Sequence, residues 1–467
     1  MSIQGFIKPG YEPVYEKFLQ HHKDGLEDNA QVCVYTNGIK VVDLYTKNNF
    51  DGLQNIFSSS KVITSLVVAI LVDRGHLKYT QLVTDIWPEY GQHNKMGTTV
   101  AQIMRHEAGL AKFDRCLTAK DLQAEQLKDI QNSTVSKIIA DQQPLYNLPT
   151  TTGASSKLER QYHALTRGWI VNQIVIRADP KGRTIGEFLQ DEIATPLNIQ
   201  DQVRIGFNQQ DYNRLKPKIH DLKFASFWYT WYHLANPFRL LGGGKVNIRS
   251  KFLHFLYVIG MPVGKLLYNL NLLTFLYRYM FNPIRNLLSA KRTSPRTKRY
   301  LKPKNQMTTS ALNNSDEQTL LNLFNSEEVR RSECPSANGH ATARALAKMA
   351  GSIVEGGKLP NENRIISEKG INEAQNNVVM RSMFYRTLKF GFTNAGWNCF
   401  NNGGRKGFVG WMGLGGSVMQ WHRELNIGFG YCGNLLELTP SNERGDVLQE
   451  VVVECVQQIQ LKERSSM

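Results

Sequence analysis

The chain has 467 residues, 41% hydrophobic and 21% charged, a balance that places it among globular proteins long enough to bury one large core or two. Lys and Arg outnumber Asp and Glu by 56 to 40, a formal charge of +16. The six cysteines form no CxxC pair and no histidine stands at metal-ligand spacing, which argues for reduced thiols and against a metal or other cofactor.

The N-terminus lacks the apolar run of a secretory signal and the Arg-rich look of a transit peptide, so an intracellular protein is expected, cytoplasmic or peripheral to a membrane. Tyr11 to Leu26 reads as an amphipathic helix with Val14, Phe18 and Leu19 on one side. Gln31–Thr36 and Ile39–Tyr45 are β-rich runs separated by Asn37-Gly38, a strong hairpin signal because both residues tolerate positive φ.

Phe57-Ser58-Ser59-Ser60-Lys61 then runs into the apolar segment Val62 to Val72. If that segment is helical, Ser58 and Lys61 lie three apart on one face of its first turn. A serine hydroxyl needs a neighbour to take its proton, and a lysine can do so where burial or other cations lower its pKa. Ser59 and Ser60 lack that spacing. An SxxK match alone is equally compatible with a capping serine beside a rim lysine, so its meaning depends on the rest of the chain.

Thr98 to Leu110 reads as a helix ending in Arg105-His106-Glu107-Ala108-Gly109-Leu110, and His106 before a glycine turn reads as a structural hydrogen-bonding residue. Leu117 to Ile139 and Leu165 to Arg177 are helical by period, and between them a polar loop delivers Gln161-Tyr162-His163-Ala164-Leu165. From Leu222 to Ser315 there are fifteen Lys and Arg and no Asp or Glu, so the surplus charge belongs to this segment. Phe224 to Phe238 is aromatic, Lys251 to Met280 is apolar with isolated cations, and Arg285 to Lys304 is cationic. Its apolar runs are too interrupted to span a membrane. Apolar helices flanked by cations suit an anionic membrane surface, with a solvated loop as the plainer alternative. Interleaved aromatics along a basic groove are not evident, which argues against nucleic acid.

From Glu333 the chain is globular again. Ala337 to Val354 has helical spacing, Gly416–His422 and Ile427–Cys432 alternate as strands, and Ser441 to Lys462 forms a closing amphipathic helix. Strands at both ends with helices between imply a sheet completed by the C-terminal third.

Four segments together resemble the serine β-lactamase and penicillin-binding-protein superfamily, and within it the β-lactamase-like carboxylesterases. They are FSSSK at 57–61, RHEAGL at 105–110, QYHALTRGW at 161–169 and SANGHATARALAKM at 336–349; GWMGLGGS at 410–417 stands where that family has its third active-site strand. The resemblance implies that Ser58 is the acylated nucleophile, that Lys61 and Tyr162 share the base role, and that the N–H of Ser58 pairs with that of Leu414, after Gly413, as an oxyanion hole. A tyrosine beside an ammonium can hold its phenolate below the usual pKa. Ala164 replaces an Asn common in relatives, Ala108 a hydroxyl residue, and Trp411 the Lys or His of the third motif. Indole can donate one hydrogen bond but carries no charge to grip a carboxylate, which points to neutral esters.

The expected fold is α+β, of β-lactamase/transpeptidase type: a mostly antiparallel sheet flanked by helices, with a helical subdomain at about 78–196 roofing the site. Residues 1–221 and 316–467 would form the catalytic domain and 222–315 an insert. The expected function is serine hydrolysis of carboxylic esters through an acyl-enzyme on Ser58, with Lys61 and Tyr162 catalytic and Trp411, Gly413 and Leu414 binding a small-molecule or lipid-derived ester. The alternative is a catalytically weak or inactive member acting as a membrane-associated scaffold. Oligomeric state is open.

Overall fold

The computed structural model describes residues 3–46, 49–146, 160–224, 306–307, 317–358, 363–383, 389–401, 403–436 and 443–466. The expected polar loop before Gln161 and nearly all of the 222–315 insert lie outside these residues. Among the described residues no helix is long and apolar enough to cross a membrane.

A nine-stranded sheet organises the molecule, in the order Ile3–Ile7, Ile39–Thr46, Ala30–Thr36, Ile427–Gly433, Val418–His422, Val409–Met412, Asn398–Cys399, Lys389–Phe392 and Val379–Ser382. Every neighbouring pair in it is antiparallel. The Asn37-Gly38 turn adopts the two positive φ angles its residues favour, 49° and 71°. The C-terminal third does complete the sheet: Ile427–Gly433 pairs along its whole length with Ala30–Thr36, Cys33 opposite Gly430.

One face of the sheet is covered by helices Glu12–Lys23 and Glu443–Ser465, whose Val14, Phe18, Leu448 and Val452 pack on Val32 and Val34. Helix Ala343–Val354 covers the other, approaching so closely that a Cβ on Gly428 would lie 2.3 Å from the Gly351 nitrogen. Behind it sits helix Ser60–Asp73, buried at every position from Ser60 to Val72. Its sequence is apolar almost all round, which suits a helix with no solvent face.

A second, three-stranded sheet joins Gln54–Asn55, Gly339–Ala341 and Val203–Ile205. It brings the segment around Ser336 against the turn that carries Ser58.

Several expected helices are shorter. The one at 98–110 is Val100–Met104; Thr99 and Gln102 form its capping box, and His106 and Gly109, at φ 65° and 66°, end it. The stretch 117–139 is a short strand, Leu117–Thr118, followed by helices Ala124–Lys128 and Thr134–Asp141, because the Asp129 carboxylate takes the Asn132 N–H and turns the chain before Ser133 caps a new start. Ala337 to Val354 begins as the strand Gly339–Ala341 before its helix.

Candidate active site

Phe57–Ser59 is a single 3₁₀ turn running into the buried helix, and Phe57 has φ 40°, left-handed for a residue with a Cβ. Such a backbone costs on the order of 1–2 kcal/mol and persists only where its surroundings hold it. The Phe57 N–H donates to Asn55 Oδ1 at 2.8 Å, and its ring lies 5.0 Å from that of Phe324. Ser59 Oγ donates to the Ser417 carbonyl (2.9 Å), Ser417 Oγ donates to the Ile56 carbonyl (2.6 Å), and Ser60 Oγ accepts the Gly339 N–H (3.0 Å). Ser59 and Ser60 are thus committed to clasping the turn. Ser58, half-buried where Ser59 and Ser60 are buried, takes no part in the clasp.

Ser58 Oγ sits 3.2 Å from Lys61 Nζ and 2.8 Å from Tyr162 Oη. Lys61 is 3% exposed, and its amine also donates to the carbonyls of Ala164 (2.7 Å) and Ser336 (3.0 Å). The Trp411 indole N–H donates to Tyr162 Oη at 3.3 Å. Because indole can only donate, the phenol oxygen accepts there and its hydrogen is free to point at Ser58, whose own hydrogen is then free to point at Lys61. The polar groups form a directed chain ending on the amine.

The sequence-based idea of a tyrosine phenolate held by an ammonium is reversed. Burial pushes the Tyr162 hydroxyl above its ordinary value despite its hydrogen bonds with Ser58 and Trp411. Burial, and then the Arg167 charge, push Lys61 well below its own. The pair is therefore a neutral phenol beside an amine readily stripped of its proton, because both charged forms would be desolvated.

The third motif lies where expected. Strand Val409–Met412 carries Trp411, and the 3₁₀ turn Leu414–Gly416 follows. Gly413 is there for space rather than for a side-chain contact: a Cβ would lie 2.3 Å from the Ile56 carbonyl oxygen and 3.1 Å from the Ser58 nitrogen. Two turn starts are thereby set side by side, and N–H groups at such starts lack partners within their own turn. Around Trp411 stand Phe390, Phe392 and Phe400, with ring centroids 6.0, 5.4 and 6.4 Å from its own.

His106 is structural: its Nδ1 accepts the His163 N–H at 3.1 Å, and burial holds its pKa well below the ordinary value, so the ring stays neutral. Ala164 contributes through its carbonyl, so the missing Asn side chain does not leave Lys61 without an oxygen there. Residues that sequence reasoning did not assign include Asn55, Ser417, the Ser336 carbonyl and Arg160. The buried Arg160 pairs with Glu107 at 2.7 Å and donates to the Phe390 carbonyl at 2.7 Å, which ties the segment bearing Tyr162 to the sheet edge. These roles rest on backbone atoms or long-range pairings, which leave no short spacing to read. Among the described residues no group of His, Cys, Asp and Glu could hold a metal ion.

Residues 18–214 match the family described as Beta-lactamase. Over 205 residues the chain is 25% identical to the esterase/beta-lactamase LipL of Mycobacterium tuberculosis, a match covering 42% of this chain and 43% of that protein, so less than half of the relative's length is spanned. Its fold is similar to that of a penicillin-binding-protein homologue from Caulobacter crescentus (TM-score 0.66, 24% identity, covering 97% of this chain and 100% of the other). It is similar also to a family VIII carboxylesterase (TM-score 0.68, 22% identity, 97% and 100% covered). The Beta-lactamase match thus covers residues 18–214, and the chain as a whole has the fold of these penicillin-binding-protein and carboxylesterase structures.

Proposed function

We propose that the protein is a serine hydrolase that cleaves neutral carboxylic esters through an acyl-enzyme on Ser58. The observation that carries this reading is the placement of Ser58 Oγ between Lys61 Nζ at 3.2 Å and Tyr162 Oη at 2.8 Å, with the lysine held well below its ordinary pKa. An unprotonated amine has two hydrogens, for the carbonyls of Ala164 and Ser336, and one lone pair, for the Ser58 hydroxyl.

In the first step Ser58 Oγ bonds to the ester carbonyl carbon and its proton passes to Lys61. Tyr162 stays a neutral phenol whose hydroxyl orients the serine oxygen by donating to it. The carbonyl oxygen, now negative, is met by the N–H groups of Ser58 and Leu414. Breaking the C–O bond to the alcohol group returns the proton to the leaving oxygen. Water then adds to the acyl-serine by the same route, and the acid departs with Ser58 restored.

Substrate preference follows from Trp411. A Lys or His at that position would offer a charge to an anionic substrate, whereas an indole among three phenylalanines offers apolar surface and one N–H that is already given to Tyr162. A charge-assisted hydrogen bond contributes about 1.5–3 kcal/mol, so its absence costs an anionic β-lactam roughly 10- to 100-fold relative to an enzyme that has it. The expected result with a neutral short-chain nitrophenyl ester is a burst of nitrophenol equal to the enzyme concentration. The ester's kcat/KM should exceed that of an anionic cephalosporin by about 10- to 100-fold. Equal efficiency on the two would refute the neutral-ester preference, and silence on both would refute the hydrolase reading.

A further inference from the structure

Attack by Ser58 requires a Lys61 amine that is unprotonated at working pH, yet its nearest polar neighbours pull the other way. The carbonyls of Ala164 and Ser336 accept hydrogen bonds from it and would favour an ammonium. The groups around the amine are the Tyr162 phenol, the neutral rings of His106 and His163, the buried Cys334 thiol and, further out, Glu107 shared among Arg105, Arg160 and Arg381. The cation that acts on Lys61 is Arg167, which is hydrogen-bonded to the carbonyl of Lys61 itself and, unlike the three arginines at Glu107, shares no carboxylate.

Arg167 is 0% exposed and stands second in the helix Thr166–Ala178. Its Nε donates to the Met104 carbonyl (3.1 Å), Nη2 to Ser65 Oγ (2.6 Å) and the Ala395 carbonyl (3.4 Å), and Nη1 to the Lys61 carbonyl (3.4 Å). All of these acceptors are neutral, and among the described residues no carboxylate pairs with it. A buried cation without a counter-ion is costly, and the positive end of the helix on which it sits adds to the cost. Even so it stays charged, since burial brings it down only to about 10. Tying three segments together by hydrogen bonds does not require a charge.

We propose that Arg167 is an electrostatic positioning residue, a buried unpaired charge that faces Lys61 across the helix backbone and sets the pH above which the Ser58–Lys61 pair works. The inference rests on the hydrolase reading only in taking Ser58 and Lys61 as the reacting pair. Arg167 touches neither the serine nor the aromatic cluster and acts through the lysine. Its field favours the neutral amine, so activity rises as pH climbs through the Lys61 pKa, and losing the field moves that rise to higher pH.

The test is the pH dependence of kcat/KM for a neutral nitrophenyl ester, and of the rate at which a fluorophosphonate labels Ser58, in the full-length protein and three variants. In Arg167→Met the acid limb moves up by about one pH unit or more, so the rate at a fixed pH on the limb falls about tenfold while the alkaline plateau is kept. Arg167→Lys leaves the limb in place. Ser65→Asp keeps the guanidinium and sets a carboxylate against it, and its limb moves in the same direction as that of Arg167→Met. An unmoved limb in Arg167→Met, or a loss of rate equal at every pH, overturns the proposal. Should Arg167→Met not fold, Ser65→Asp decides, and an unshifted limb there overturns it. No labelling of Ser58 in the unaltered protein would instead be a failure of the hydrolase reading.

Discussion

Ser58→Ala should lower kcat for ester hydrolysis by about four orders of magnitude or more, because the covalent route is lost with the hydroxyl and not merely slowed. The loss should be confined to chemistry. The Ser58 side chain hydrogen-bonds with Lys61 and Tyr162, whereas the clasp of the turn is made by Ser59, Ser60 and Ser417. The fold therefore survives, with a stability change of about 1 kcal/mol, the worth of one hydrogen bond. Steady-state assays paired with thermal melts separate the two effects. Turnover within tenfold of the unaltered protein would show that the nucleophile lies elsewhere.

Lys61→Met should cost about 10³-fold in kcat, within the usual range for removing a general base. Met has nearly the same length and flexibility, and the buried amine it replaces is expensive to desolvate. Against that gain stand the carbonyls of Ala164 and Ser336, which lose their donor. An orphaned acceptor costs about 1–3 kcal/mol, so the two terms roughly offset and the variant should melt close to the parent. Tyr162→Phe should lose less, because the phenol only orients Ser58 while the serine proton reaches Lys61 directly across 3.2 Å. Measuring both variants at the parent's pH optimum discriminates the roles: a larger loss in Tyr162→Phe than in Lys61→Met would make the tyrosine the base.

How much of this could be read in the chain depends on what kind of atom carries each role. The Ser58 and Lys61 spacing is a side-chain pattern on one helical turn, and it was legible. Tyr162 and Trp411 became legible only together, through several motifs matched at once. Ala164 reads as a departure because its side chain is missing, yet the site uses its carbonyl, which every residue type supplies. The spacing to Lys61 singles out Ser58 among the three serines of the turn, but the long-range clasp that occupies Ser59 and Ser60, through Ser417 and Gly339, leaves no such pattern. The protonation state of Tyr162 is opposite to expectation because spacing reports proximity and not burial, whereas Lys61 is lowered by burial and a neighbouring cation as a basic lysine requires. The breaks in the expected helix at 117–139 went unread for a similar reason: an Asp129 side chain outcompeted the helical backbone.

The most direct test of the central claim is intact-mass analysis, with peptide mapping, of the full-length protein treated with a fluorophosphonate at neutral pH. The account predicts one adduct per chain, located on Ser58 and absent from Ser58→Ala. A protein that hydrolyses esters while Ser58 stays unmodified, or that carries its adduct on another residue, would contradict it.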